Sequence, residues 1–176
     1  MSAHSIGIFY GSSTCYTQMS AEKIAAVLNN QGSVDIHNIA DESIANSLNY
    51  DLIIFGIPTW DYGELQEAWE EIWDEIDQLD YSGKVVALYG QGDQEGYPEW
   101  FLDAMGYLYH KLISLGAKVI GFWPNQGYSF DKSTALTEDG EYFVGLALDD
   151  ETQFEESEAR IAQWCQQIVR ESGLGD

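Results

Sequence analysis

Basic residues are scarce in this chain: 7 Lys and Arg stand against 30 Asp and Glu, giving a formal net charge of −23. So few cations exclude a nucleic-acid surface, because phosphate contacts are made mainly by Lys and Arg. Cysteine is nearly absent too. Cys15 and Cys165 give neither a metal-ligand spacing nor a disulfide framework. The three histidines, His4, His37 and His110, are scattered, and no HExxH or CxxC occurs. No metal is therefore expected. No apolar run approaches the ~20 residues of a membrane span, and no basic segment precedes the first apolar run, so a cytoplasmic protein is expected.

What is present suits a globular protein. A hydrophobic content of 45% over 176 residues is enough for a real core and predicts one domain, 1–176. The acids are clustered. Asp61, Glu64, Glu67, Glu70, Glu71, Asp74, Glu75, Asp77 and Asp80 follow one another with no basic residue between them. They read either as a solvated helix face or as a surface that steers basic partners.

Strands are predicted at Ile6–Tyr10, Ser33–Ile39, Leu52–Ile57 (ended by Pro58), Val85–Tyr89, Lys118–Trp123 and Phe143–Leu148. The continuous apolar run Leu52–Ile57 is that of a strand buried on both faces of a parallel sheet. Helices are predicted from Met19, Ile24, Val27 and Leu28; from Glu64 on, with Leu65, Trp69, Ile72, Trp73, Ile76 and Leu79; from Trp100 to Leu112; and around Ile161, Trp164 and Ile168. A short helical piece fits Ser43–Leu48. The alternation predicts an α/β fold, a doubly wound parallel sheet with helices on both faces. The rhythm breaks between Pro124 and Tyr142, read here as an insertion into the last strand.

In such a sheet the ligand sits beyond the carboxyl ends of the strands. Three loops leave those ends. Gly11–Thr17 joins a strand to a helix and carries Ser12, Ser13, Thr14 and Thr17, whose hydroxyls and backbone N–H groups converge where the helix dipole is positive. Having no Lys or Arg, it is not a triphosphate loop. It reads either as a phosphate-monoester site or as an ordinary turn rich in Ser and Thr. The loops Pro58–Gly63 and Gly90–Tyr97 each put an aromatic, Trp60 and Tyr97, in a polar setting, where the pair could sandwich a flat ring. Gly63, Gly90 and Gly92 would let the backbone approach it, and Asp93 could accept from a ring N–H.

Over nearly its whole length the sequence resembles a long-chain flavodoxin. The matching pieces are Phe9-Tyr10-Gly11-Ser12-Ser13-Thr14, Gly56-Ile57-Pro58-Thr59-Trp60 with Gly63-Glu64-Leu65-Gln66, and Gly90-Gln91-Gly92-Asp93-Gln94 with Gly96-Tyr97. Val144-Gly145-Leu146-Ala147-Leu148-Asp149 and the stretch before it match the long-chain subclass. The Ser-Ser-Thr-Cys-Tyr-Thr loop is similar to the second flavodoxin type of enteric and related bacteria. The resemblance implies a five-stranded parallel sheet and non-covalent FMN. Ser12, Ser13, Thr14, Cys15, Tyr16 and Thr17 would lie at the phosphate. Trp60 and Tyr97 would lie on the inner and outer ring faces, with Pro58 and Thr59 alongside. Asp61 and Gly63 would be near N5, and Gly90, Gly92 and Asp93 near the pyrimidine edge. It implies a one-electron carrier shuttling between semiquinone and hydroquinone, with no substrate turnover of its own. A flavodoxin/ferredoxin–NADP reductase is implied as donor, and acceptor enzymes are expected to present basic docking faces to a monomer.

Two residues depart from the family pattern. Cys15 stands where Gly is usual, so a positive φ would be costly there, and Asp61 stands where many long-chain members carry Asn. An FMN-dependent NAD(P)H:quinone reductase is the main competing reading. It would need an open ring face and a basic pocket for the nicotinamide phosphate. A phosphoacceptor signalling domain would need an acidic pair at the first strand, which Ile6–Tyr10 lacks.

Overall fold

Strand β1 (His4–Tyr10) lies at the centre of the fold's first half, paired in parallel with β2 (Gly32–Asn38) on one side and β3 (Leu52–Trp60) on the other. The computed structural model describes residues 4–12 and 15–173. Strand β3 pairs in parallel with β5 (Val85–Gln91), whose far edge is shared by two short strands. These are β6 (Lys118–Ile120), beside Val85–Ala87, and β9 (Leu146–Leu148), beside Tyr89–Gln91. The result is five parallel positions with the last strand split, as expected.

Both faces are buried, and the period of two shows how. Phe9, Ile53, Phe55 and Ile57 point into one core, covered by α2 (Glu67–Ile76) and α3 (Asp103–Ser114). Ile6, Ile8, Leu52 and Ile54 point into the other, covered by α1 (Tyr16–Leu28) and α4 (Phe154–Ser172). The acids of α2 are exposed while Trp69 and Ile76 are buried. On α1 the buried face is Thr17, Ser20, Ala21, Ile24 and Leu28. Val27, expected inside, is 40% exposed. Cys165 is plain core. Among the described residues no helix is long and apolar enough to cross a membrane.

Several boundaries differ from the expected ones. Pro58 does not end β3, because the strand continues to Trp60 with Pro58 beside Gln91. Residues Glu64–Leu65 are not helical. They form β4, folded back antiparallel on Thr59–Trp60, and α2 begins only at Glu67. The third helix starts at Asp103 rather than Trp100, because Leu102 adopts φ 59°. The sixth strand stops at Ile120, where Gly121, at φ 82°, turns the chain out of the sheet. The insertion thus spans 121–145, wider than 124–142, and is not structureless. Its strands β7 (Trp123–Pro124) and β8 (Tyr142–Phe143) pair antiparallel, and Ala135 and Phe143 are fully buried. Phe143 packs against Phe101, Tyr128 and Phe130. It is a rooted element of the core.

Burial of the tyrosines carries a pH consequence. Desolvation pushes the phenols of Tyr81 and Tyr128 up to about 12, and that of Tyr50 likewise, with Asp35 adding to it. An unfolded chain ionises them near ~10, so between these values the folded state binds more protons. Stability should therefore fall as pH rises from about 10 towards 12. Phenolate absorbance should rise cooperatively with loss of circular dichroism. Ionisation of all 11 phenols near pH ~10 with the fold intact would contradict this burial.

Candidate functional site

Four chain segments leave the carboxyl ends of the strands on one side of the sheet and enclose a cavity of about 330 Å³. Tyr16 borders it from the start of α1, Pro58 to Asp61 from the end of β3, Gln91 to Asp93 from the end of β5, and Glu151 from beyond β9. Among the described residues no Lys or Arg lines it. Its carboxylates, Asp61, Asp93 and Glu151, make it a negative cleft.

The first loop is held by residues chosen for fit. A Cβ at Gly11 would come within 2.8 Å of the Trp69 ring, and the Trp69 indole N–H donates to the Gly56 carbonyl at 3.0 Å. Cys15 takes φ 71°, a left-handed conformation costing on the order of 1 kcal/mol for a residue with a Cβ. The loop therefore tolerates the expected strain rather than avoiding it. The Cys15 amide donates to Ser12 Oγ at 3.1 Å, and the Cys15 side chain itself makes no capping bond to α1. The Tyr89 hydroxyl donates to the Thr17 carbonyl at 2.8 Å, tying the helix start to the sheet. Thr17 is 1% exposed, yet its hydroxyl oxygen has no partner among the described residues. A buried hydroxyl without a partner among the described residues, at a helix N-terminus that its N-cap residue does not cap, fits an anion supplied from outside the chain. Ser13 and Thr14 lie outside the described residues.

The second loop turns tightly through Asp61 at φ 43° and Gly63 at φ 82°. Asp is among the residues that tolerate this region. Trp60 is half-buried at the cavity wall. Thr59 borders the cavity while its Oγ1 accepts from the Ala104 amide at 3.0 Å. In the third loop, Asp93 Oδ1 accepts from the amides of Glu95 and Gly96 at 3.2 and 2.7 Å, so this carboxylate shapes its own turn. Gly92 borders the cavity. Gly90 does not, since the space beside its Cα is taken by Leu102 and Met105. Tyr97 lies outside the lining, edge-on to Tyr62 at 5.9 Å, and Tyr62 in turn meets Trp100 at 4.9 Å. Asp61, by hydrogen bond and by charge, raises the Tyr97 phenol above its ordinary value.

Two lining residues were not singled out from the sequence. Gln91 donates to Ser20 Oγ at 2.9 Å and accepts from the Asp150 amide at 3.1 Å, joining α1, β5 and the turn after β9 beneath the cavity. Glu151 belongs to that turn. The loop after β9 is a fourth carboxyl-end loop, which the sequence signals only once Leu146–Leu148 is placed beside β5. The site offers stacking surfaces, neutral donors and carboxylates. Among the described residues no group of three or more His, Cys, Asp or Glu is placed to hold a metal ion.

Comparison with known proteins agrees with this geometry. The family model described as Flavodoxin matches residues 8–164. Flavodoxin 2 of Escherichia coli K12 is 52% identical over 166 residues, covering 94% of this chain and 95% of that protein. The flavodoxin of Synechococcus elongatus is 43% identical, covering 96% and 98%. Among solved structures, Fusobacterium nucleatum flavodoxin bound to flavin mononucleotide superposes with a TM-score of 0.89 at 31% identity, covering 96% and 98% of the two chains. The fold, the split edge strand and these likenesses together establish that the chain belongs to the flavodoxin family.

Proposed function

We propose that the protein is a single FMN-binding unit that carries electrons between redox enzymes and turns over no substrate of its own. What carries this reading is the pairing of a buried Thr17 hydroxyl, without a partner among the described residues, with a neighbouring cavity walled by Trp60 and lined by no Lys or Arg among the described residues. When bound, FMN supplies the redox chemistry, accepting and releasing electrons one at a time. Ser12 and Thr17, with Ser13, Thr14 and the backbone N–H groups of this loop, would hold its phosphate with neutral donors. Trp60 and Tyr97 would flank the ring, with Pro58 and Thr59 against its inner side and Gly92 and Asp93 at its edge. Asp61, Asp93 and Glu151 would oppose negative charge developing on the ring, which lowers the potential at which a second electron enters. Tyr16 and Gln91 would exclude water from the cofactor's inner side.

The nine exposed acids running from Asp61 to Asp80 support partners with basic docking faces. A flavodoxin/ferredoxin–NADP reductase suits the donor role, and the carrier would act as a cytoplasmic monomer. The reductase reading is disfavoured by the Tyr62–Tyr97–Trp100 cluster beside the cavity and by the lack of Lys or Arg among the described residues lining it. The test is a titration of apoprotein with FMN, followed by stepwise anaerobic reduction. Stoichiometric binding and two resolved one-electron steps, with a long-wavelength band at half-reduction, are expected. Failure to bind FMN would overturn the reading, and a single two-electron step with rapid NAD(P)H oxidation would favour the reductase.

A further inference from the structure

We infer that Asp103 is a positioning residue through which the 121–145 insertion holds the cofactor loop 59–63 in place. The inference deepens the proposed function and rests on it for the identity of the cofactor. Asp103 opens α3 and is 4% exposed, an unusual place for a carboxyl group in a core. Three elements meet at it. From the insertion, the Thr134 amide donates to Asp103 Oδ1 at 2.8 Å, and the Thr134 hydroxyl donates to the Asp103 carbonyl at 3.0 Å. From the cofactor loop, Gly63 presses so closely that a Cβ there would lie 3.1 Å from Asp103 Oδ2. From the end of β3, Thr59 Oγ1 receives the amide of Ala104, the very next residue.

The geometry around this point leaves no slack. Leu102 is forced to φ 59° to deliver the chain into α3 at this angle. One turn on, a Cβ at Gly106 would sit 2.5 Å from the Thr134 carbonyl, so the insertion lies directly on the helix. A shift of Thr134 must therefore move the start of α3, and with it the supports of Thr59 and Gly63 on either side of Trp60. An apolar residue would fill the same volume without the desolvation that raises the Asp103 carboxyl above its ordinary value. The directed bond from the Thr134 amide is what such a residue could not accept.

The experiment compares Asp103→Ala, Asp103→Asn and Thr134→Val with the parent, reading FMN dissociation and, in the apoprotein, amide hydrogen exchange across 59–63. Asp103→Ala should weaken FMN binding about tenfold and speed exchange in that loop. Asp103→Asn keeps an acceptor for the Thr134 amide and should stay within roughly threefold of the parent. Thr134→Val, which loses only the hydroxyl, should fall between them. A helix-start role alone would lower thermal stability without changing loop exchange or FMN release. The inference is overturned if Asp103→Ala folds with parental loop exchange and parental FMN release. Should Asp103→Ala fail to fold, Asp103→Leu, which fills the side chain's space and removes the acceptor of the Thr134 amide, decides by the same two readings. If the parent itself takes up no FMN, the proposed function fails, while the exchange comparison still judges Asp103.

Discussion

Replacement of Trp60 by Ala should weaken FMN binding by roughly 10- to 100-fold. Stacking of a flat heterocycle on an aromatic side chain is worth about 1–3 kcal/mol, and ~1.4 kcal/mol is a factor of ten. Trp60 is placed for this by β3 on one side and the β4 return on the other, which fix its backbone at the cavity wall. The loss should appear in fluorescence titration of the apoprotein. The midpoint potentials of both one-electron steps should also move, because an aromatic face disfavours a ring that gains negative charge. Trp60→Phe should restore much of the affinity. Unchanged binding and potentials in Trp60→Ala would remove this residue from the site.

Thr17→Val should produce two effects of opposite sign. The substitution keeps the shape and discards a hydroxyl that is 1% exposed and without a partner among the described residues. Relieving an unsatisfied buried polar atom should stabilise the apoprotein by about 1 kcal/mol. Against a phosphate dianion the same hydroxyl would make a charge-assisted bond of about 1.5–3 kcal/mol, so FMN binding should weaken roughly tenfold or more. Riboflavin, which lacks the phosphate, should bind the variant and the parent alike. A variant that binds FMN normally, or that loses riboflavin equally, would show that Thr17 does not face the phosphate.

The sequence reveals the inner strands of the sheet because they are buried on both faces, so Leu52–Ile57 reads as an unbroken apolar run. It is nearly silent about β4, whose two residues are too few to show a period. The start of α3 differs from the one the apolar pattern predicts for another reason. Leu102 is a residue that ordinarily avoids φ 59°, and Trp100 and Phe101 extend the apolar pattern of the helix without belonging to it. At the site, the three segments that leave β1, β3 and β5 are legible because each joins turn-forming Gly, Ser or Asp to a buried apolar run, and two of them set an aromatic residue in that polar company. Glu151 and Gln91 are not, because the partners of Gln91, Ser20 and Asp150, and the turn that carries Glu151 are far apart along the chain, and no local pattern reports a long-range contact. Gly90 illustrates the converse. Its motif position suggested cofactor contact, while its surroundings are Leu102 and Met105 in the core.

The split edge strand also bears on how this chain aligns with shorter ones. Ile120 lies beside Ala87 and Leu146 beside Tyr89, so a single position, opposite Leu88, separates the two halves. Gly145 fills it, with a Cβ site only 2.3 Å from the Leu88 carbonyl. A chain that joined Ile120 directly to Gly145 would lack 121–144, the whole insertion but its last residue, as one uninterrupted gap, with every remaining strand still in register. Such a gap would be invisible to the sheet but not to α3. The carboxyl group at position 103 would lose the amide that Thr134 now supplies, leaving an acid there without the donor it faces here.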